Sequence, residues 1–250
     1  MSDRRVPALD QLTQADWLAA MAARHAVRRY LDRPIEAAVR EALDAAIAQA
    51  NAASGLSIQV AYEEPLAFST GPARAGSFTG VVNYLALVGP AGKTLNESVG
   101  YAGEWLVLYA QHLGLNTCWA AGTFNRREAR FVAGPGEKLA VVIALGCGES
   151  QGEPHQSKPL AELAKVIGGG PLPDWFRAGV EAVQLAPSGY NAQAYVVELA
   201  GRAVRFRPHV RSVIAAFARR QFGLRADLDI GIAKRHFELG VDPDAEWSWA

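Results

Sequence analysis

The sequence predicts an α+β fold, and three observations carry that prediction. Apolar residues recur at helical spacing on a strong helix-forming background, as in IEAAVREALDAAIAQAN from Ile35. Short runs rich in branched and aromatic residues, such as GVVNYLALV at 80–88, lie between turn-formers and read as strands. A helix, a polar turn and a strand follow one another at two places, around NAASGLSIQV at 51–60 and LAPSGYNAQAYVV at 185–197.

Taken in order, Thr13 caps a first helix over 14–23 that leads into RHAVRRY at 24–30. A second helix follows Pro34 and ends at the Ser54-Gly55 break. Strands are predicted over 57–62 and 80–88, and then SVGYAGEWLVLYAQHLG at 98–114 makes a long, mostly apolar helix that must be buried nearly all round. A strand over 138–145 is closed by GCGESQGEPHQSKP, too rich in Gly, Pro and polar residues to be anything but a loop. IGGGPLPDW at 167–175 is a candidate linker. It leads into a helix over 174–185, the APSGYNAQ turn, strands over 195–199 and 203–207, and a helix over 210–222. A last helix over 228–239 has Asp227 or Asp229 near its start, where a carboxylate suits the helix dipole.

Composition narrows the function classes. The chain has 250 residues, half of them hydrophobic, with 25 basic side chains against 25 acidic ones, which matches a globular protein and gives no net attraction to nucleic acid or a membrane surface. The opening MSDRRVPALDQLTQADW reads as neither signal peptide nor anchor, so a cytoplasmic location is expected. The least polar stretch, 105–124, is broken by Gln111, His112 and Asn116, which fits a buried helix and turn and not a bilayer span. Cys118 and Cys147 lack CxxC spacing and read as packed thiols. The five histidines have no ligand spacing, so no metal is expected. HExxH and GxSxG are absent, and GCG at 146–148 lacks the third glycine of a dinucleotide fingerprint.

The two helix-turn-strand phrases register on their Ser-Gly pairs. Ala48, Ala52, Ser54, Gly55 and Gln59 then match Ala182, Ala186, Ser188, Gly189 and Gln193. Five identities also fit a chance coincidence of Ala-rich helices ending in Ser-Gly. The differences favour function: the second copy holds Pro187, Tyr190 and Asn191 where the first has Ala53, Leu56 and Ser57. Pro187 fixes its own φ, Gly189 permits unusual φ, and the Ser, Asn and Gln side chains offer donors and acceptors on one short loop, suited to something polar and planar.

Several stretches together resemble the flavin-dependent nitroreductases, in the single-chain branch related to the TM nitroreductases. Arg24, His25, Val27, Arg28 and Tyr30 fit that family's phosphate-binding run, with Ala26 where Ser is usual. Pro187, Ser188, Asn191 and Gln193 fit its flavin-facing turn, with Ala194 replacing a final Pro. GEWLVLYAQHLGLNTCWAAGTF at 103–124 is similar to its core helix, following strand and turn over the flavin. The likeness covers most of the chain, from about Ala20 to Gly240.

The resemblance implies a mainly antiparallel central sheet flanked by helices, and an FMN cofactor with NAD(P)H as co-substrate. Arg24, His25 and Lys158 would hold the phosphate, Arg28 would stabilise the negative charge at the ring edge, and Gly122 and Thr123 would set backbone N–H groups against the flavin. Arg24 and Arg28 share a face wherever their segment is helical. Pro187, Ser188, Gly189, Asn191 and Gln193 would supply the opposite side. In ordinary family members two subunits share this work. Here an N-terminal half (1–166) and a C-terminal half-repeat (167–250), related by a pseudo-two-fold, would complete one site in one chain, as a monomer or a homodimer. Hydride would pass from NAD(P)H to a nitroaromatic or quinone-like acceptor by ping-pong chemistry, with no catalytic acid or base from the protein and acceptor choice set by loops such as 71–79. Two alternatives stand beside this. One is a flavin-binding protein without turnover, or a relative acting in dehalogenation or flavin breakdown. The other is a nucleic-acid or acidic-partner interface on the basic segment 202–235, which an ordinary amphipathic surface helix also explains.

Overall fold

The structure is a computed structural model that describes residues 7–209 and 226–250. The helix expected over 210–222 lies outside these residues. Helix α1 (Gln14–Ala23) starts at Thr13, whose hydroxyl accepts from the Asp16 amide while the Asp16 carboxylate accepts from the Thr13 amide at 2.8 Å. Helix α2 (Ala37–Ser54) stops where Gly55 turns left-handed at φ +68° and donates its amide to Asn51 O.

A first sheet follows. Strands β1 (Gln59–Ala61), β2 (Asn83–Pro90), β3 (Asn116–Ala120) and β4 (Glu137–Gly146) pair in the order β1-β2-β4-β3, every pair antiparallel. A short helix, α3 (Gly71–Ala75), interrupts the long β1–β2 connection, and helix α4 (Leu95–His112) joins β2 to β3. Strands β2 and β4 are apolar on both faces because both faces are covered. Leu85, Leu87, Ile143 and Leu145 enter the main core with α4, whereas Tyr84, Ala86, Val142 and Ala144 enter a second cluster with Val27, Tyr30, Phe68 and Phe78. A bulge at Leu87/Val88 leaves Ala140 as the extra residue.

The rest of the chain builds a second sheet. Helix α5 (Leu160–Leu163) runs into β5 (Ala164–Val166), and helix α6 (Asp174–Val183) is followed by β6 (Tyr195–Ala200), β7 (Ala203–Pro208), helix α7 (Ala226–Gly240) and β8 (Ser248–Trp249). The order is β5-β6-β7-β8, with β6 and β7 antiparallel and both outer pairs parallel. The α+β class and the antiparallel sheet flanked by helices are thus observed, with this mixed sheet added. The expected boundary at 166/167 falls just after β5, a strand that pairs across it with β6.

Among the described residues, and leaving the short α3 aside, the order helix, strand, antiparallel strand, helix occurs twice, as α2-β1-β2-α4 and as α6-β6-β7-α7. The last helix of each set meets the other at the centre, and one hydrophobic cluster runs through both sets. At that crossing a Cβ on Gly100 would fall on the backbone of Leu228, and a Cβ on Gly231 would fall on the backbone of Glu97. Only glycine allows the two axes to come so close. Among the described residues no helix is long and apolar enough to cross a membrane.

Candidate functional site

The RHAVRRY run is extended, so helical spacing does not bring Arg24 and Arg28 together. Its polar backbone is satisfied sideways by segments far away in sequence. Val27 N donates to Thr117 O, Tyr30 N to Thr79 O and Leu31 N to Cys147 O, while Thr79 N donates to Arg28 O and Glu149 N to Arg29 O. Along this segment Arg24, Val27 and Tyr30 point inward, and Arg28 and Arg29 point out.

Arg24 is 4% exposed and its guanidinium makes no hydrogen bond among the described residues, leaving Nε orphaned. Its one ion pair among the described residues, to Glu104, spans 3.8 Å. Burial pulls the Arg24 pKa down and the Glu104 charge opposes that shift. Glu104 is fully buried on α4 and accepts from Trp119 Nε1 and faces His236 Nε2, each at 2.9 Å. His236 Nδ1 meets Ala182 O at 3.1 Å. One carboxylate therefore ties the 24–31 segment, α4, β3 and α7 together.

On the outer side lies a cleft of about 310 Å³ lined by Ala26, Val27, Arg28, Arg29, Ser77, Ser150 and Gly152. Arg29 pairs with Glu149 at 3.3 Å, whereas Arg28 has no ion pair among the described residues. Thr123 packs against Gly76, beside the cleft residue Ser77, and Gly122 is exposed on the same turn. Cys118 lies behind Arg28 and Arg24, and burial pushes its thiol up and keeps it protonated. No group of three or more metal-binding side chains occurs among the described residues.

The 187–193 turn is strained. Tyr190, Asn191 and Gln193 all have positive φ, at 53°, 53° and 41°, each a cost of about 1–3 kcal/mol that the surroundings must overcome. Those surroundings come from the loop after β4 and from α7. Gln193, fully buried, accepts from Lys158 N at 2.8 Å and donates to Gln156 O and Asn191 Oδ1. Asn191 Nδ2 donates to Gln156 O, and Lys158 Nζ donates to Ala192 O and Gln193 O. Ser188 Oγ accepts from Gln193 N, and Gly189 N donates to Asp229. The side chains of Lys158, Ser188, Asn191 and Gln193 thus hold the turn itself, while Tyr190 is 76% exposed.

The 148–158 loop links this turn to the arginine segment. Its near end sits against His25, whose Nδ1 lies 3.3 Å from Gln151 O, and its far end grips Asn191 and Gln193. Sequence reasoning missed Ser150, Arg29 and the Glu104–His236 pair. Ser77 falls in the 71–79 loop that the sequence had singled out, but Glu104 and His236 lie 132 positions apart with no motif joining them. The basic segment 202–235 is largely neutralised where described: Arg205 and Arg207 pair with Glu198, Arg202 with Glu246, Lys234 with Glu97 and Arg235 with Glu238.

The family described as "Putative TM nitroreductase" matches residues 16–241. The chain belongs to this nitroreductase family. Among solved structures, a nitroreductase of Thermotoga maritima matches with a TM-score of 0.61 at 19% identity, over 96% of this chain and 88% of that one. A nitroreductase of Desulfovibrio desulfuricans, solved in complex with FMN, covers 58% of this chain and 93% of its own at 20% identity and a TM-score of 0.46. No curated protein matches. In this nitroreductase-family chain the donor set fits a flavin mononucleotide. A buried guanidinium without a hydrogen bond among the described residues requires acceptors, and the cleft adds Arg28, which has no ion pair among those residues, and two hydroxyls.

Proposed function

We propose that this chain is an FMN-dependent oxidoreductase that uses NAD(P)H and reduces nitroaromatic or quinone-like acceptors by a ping-pong route. The observation that carries the reading is Arg24, a nine-tenths-buried cation with no hydrogen-bond partner among the described residues, in a chain of the nitroreductase family. When bound, FMN would supply two-electron hydride chemistry between a nicotinamide and an electron-poor aromatic.

The protein binds, orients and excludes water. Arg24 and His25 hold the phosphate. Arg28, exposed on the cleft and without an ion pair among the described residues, presents a planar guanidinium to the electron-rich ring edge. Gly122 and Thr123 offer backbone N–H groups, which orient a ring without titrating. Lys158, Ser188 and Gln193 act one step back by fixing the strained turn, so that Pro187, Gly189, Asn191 and the exposed Tyr190 are the parts of it able to face a ligand. In this reading the second helix-strand set takes the place of a partner subunit.

Steady-state oxidation of NADH and NADPH by the flavin-loaded protein tests the function. A nitroaromatic or quinone should raise the rate severalfold over the rate with oxygen alone. A protein that binds FMN but shows no acceptor-dependent turnover would overturn the enzymatic reading and leave a flavin-binding protein.

A further inference from the structure

Glu104 on α4 and His236 on α7 are fully buried, and neither lines the cleft. Their protons can be counted from geometry. Ala182 O is a carbonyl and only accepts, so His236 Nδ1, 3.1 Å away, carries a proton. His236 Nε2 then faces Glu104 Oε1 at 2.9 Å, and two lone pairs do not approach so closely without a proton between them. Whether that proton rests on nitrogen, as an imidazolium beside a carboxylate, or on oxygen, as an imidazole beside a carboxylic acid, the pair carries no net charge.

The surroundings leave this count intact. Trp119 Nε1 donates to the other oxygen of Glu104 at 2.9 Å and is uncharged. Tyr195 on β6 lies near Glu104 and Asp229, and burial above all keeps its phenol protonated. Asp229 accepts from Gly189 N at the turn. Burial likewise keeps the Cys118 thiol protonated and holds His155, on the loop after β4, below the usual histidine range. Arg24 Nε stands 3.8 Å from Glu104 Oε1, beyond hydrogen-bond reach. Arg24, Glu104 and His236 together therefore hold one net positive charge in the core. Without the shared proton the same carboxylate would cancel it.

We propose that His236 is a positioning residue for the flavin site: the proton it shares with Glu104 offsets the carboxylate and keeps the Arg24 charge available to an anionic ligand. The inference rests on the flavin reading for its ligand and on the hydrogen bonds alone for its proton. His236 comes from the second helix-strand set, while Arg24 and Glu104 precede it, so the α4–α7 crossing sets the charge at the arginine segment.

Fluorescence titrations with FMN and with riboflavin at neutral pH, together with proton NMR of the ligand-free protein, test this. His236→Gln keeps an amide donor for Glu104 but cannot carry the extra proton, and the Arg24 charge then favours an ionised carboxylate. The preference for FMN over riboflavin should fall about tenfold, the scale of one hydrogen bond to a charged group. Glu104→Gln removes carboxylate and proton together, so it should keep the wild-type preference, and adding it to His236→Gln should restore that preference. A His236→Gln protein with the wild-type preference, one that weakens both flavins equally, a Glu104→Gln protein that loses the preference, or a double variant that stays weak overturns the proposal. In the wild-type spectrum a downfield resonance is expected from the proton between Nε2 and Oε1, and it should vanish in Glu104→Gln. Its absence from wild type overturns the shared proton whatever the flavins do. Wild-type protein that shows the resonance but binds neither flavin overturns the flavin reading and the role of the Arg24 charge, while the shared proton stands.

Discussion

Arg24 sits in the core beside a carboxylate 3.8 Å away and donates no side-chain hydrogen bond among the described residues. Burying a charge so poorly matched is unfavourable for folding, and the Glu104 carboxylate keeps Trp119 and His236 as partners when the guanidinium is removed, so the change strands no charge. Arg24→Met should therefore leave the urea midpoint unchanged or higher while raising the FMN dissociation constant about tenfold to a hundredfold, the effect of losing a charge-assisted hydrogen bond worth about 1.5–3 kcal/mol. A variant that loses stability and keeps FMN affinity would mark Arg24 as structural.

Glu198 gives a contrasting case. Burial raises its carboxyl, but hydrogen bonds and charge from Arg205 and Arg207 outweigh burial and hold it below the ordinary glutamate value of 4.5. A depressed carboxylate contributes stability above its unfolded value and loses it as pH falls through the folded one. The difference in urea midpoint between wild type and Glu198→Gln should be present at neutral pH and shrink as pH falls through the depressed folded value. At this scale the sequence named Arg24, Arg28 and the 187–193 residues but did not distinguish buried from exposed. Arg24 and Arg28 read alike in RHAVRRY, and only the packing of α4 separates their environments.

The elements show where local signals suffice. The cap of helix α1 was readable in the sequence at Thr13, the structure adds Asp16 as its capping-box partner, and Thr13→Ala should cost about 1 kcal/mol in chemical denaturation. The end of α2 at Gly55 was equally legible. The extended form of 24–31 was not, because its hydrogen-bond partners Thr79, Thr117 and Cys147 lie 49 to 116 positions away in sequence. Strands β5 and β8, of three and two residues, are too short to carry a period, and exist only because β6 and β7 offer them edges. The α4–α7 crossing is also a tertiary fact. Gly231→Ala would drive a Cβ onto the Glu97 backbone and should destabilise the protein by about 1–3 kcal/mol, measured as a lower urea midpoint.

For the whole molecule, one core joins two sets of helix, strand, strand and helix, and the later set carries the strained turn that the earlier one lacks. The sequence made this asymmetry visible at Pro187, Tyr190 and Asn191, and left the central helix pairing hidden because no short motif encodes it. If the second set completes one site that the first cannot duplicate, cofactor binding must saturate at a fixed ratio. Titration of the purified protein with FMN, followed by the visible absorption of bound flavin, measures that ratio directly. The account predicts saturation at one FMN per chain in wild type, with binding much weakened in Arg24→Met; two FMN per chain, or no bound flavin at any concentration, would contradict it.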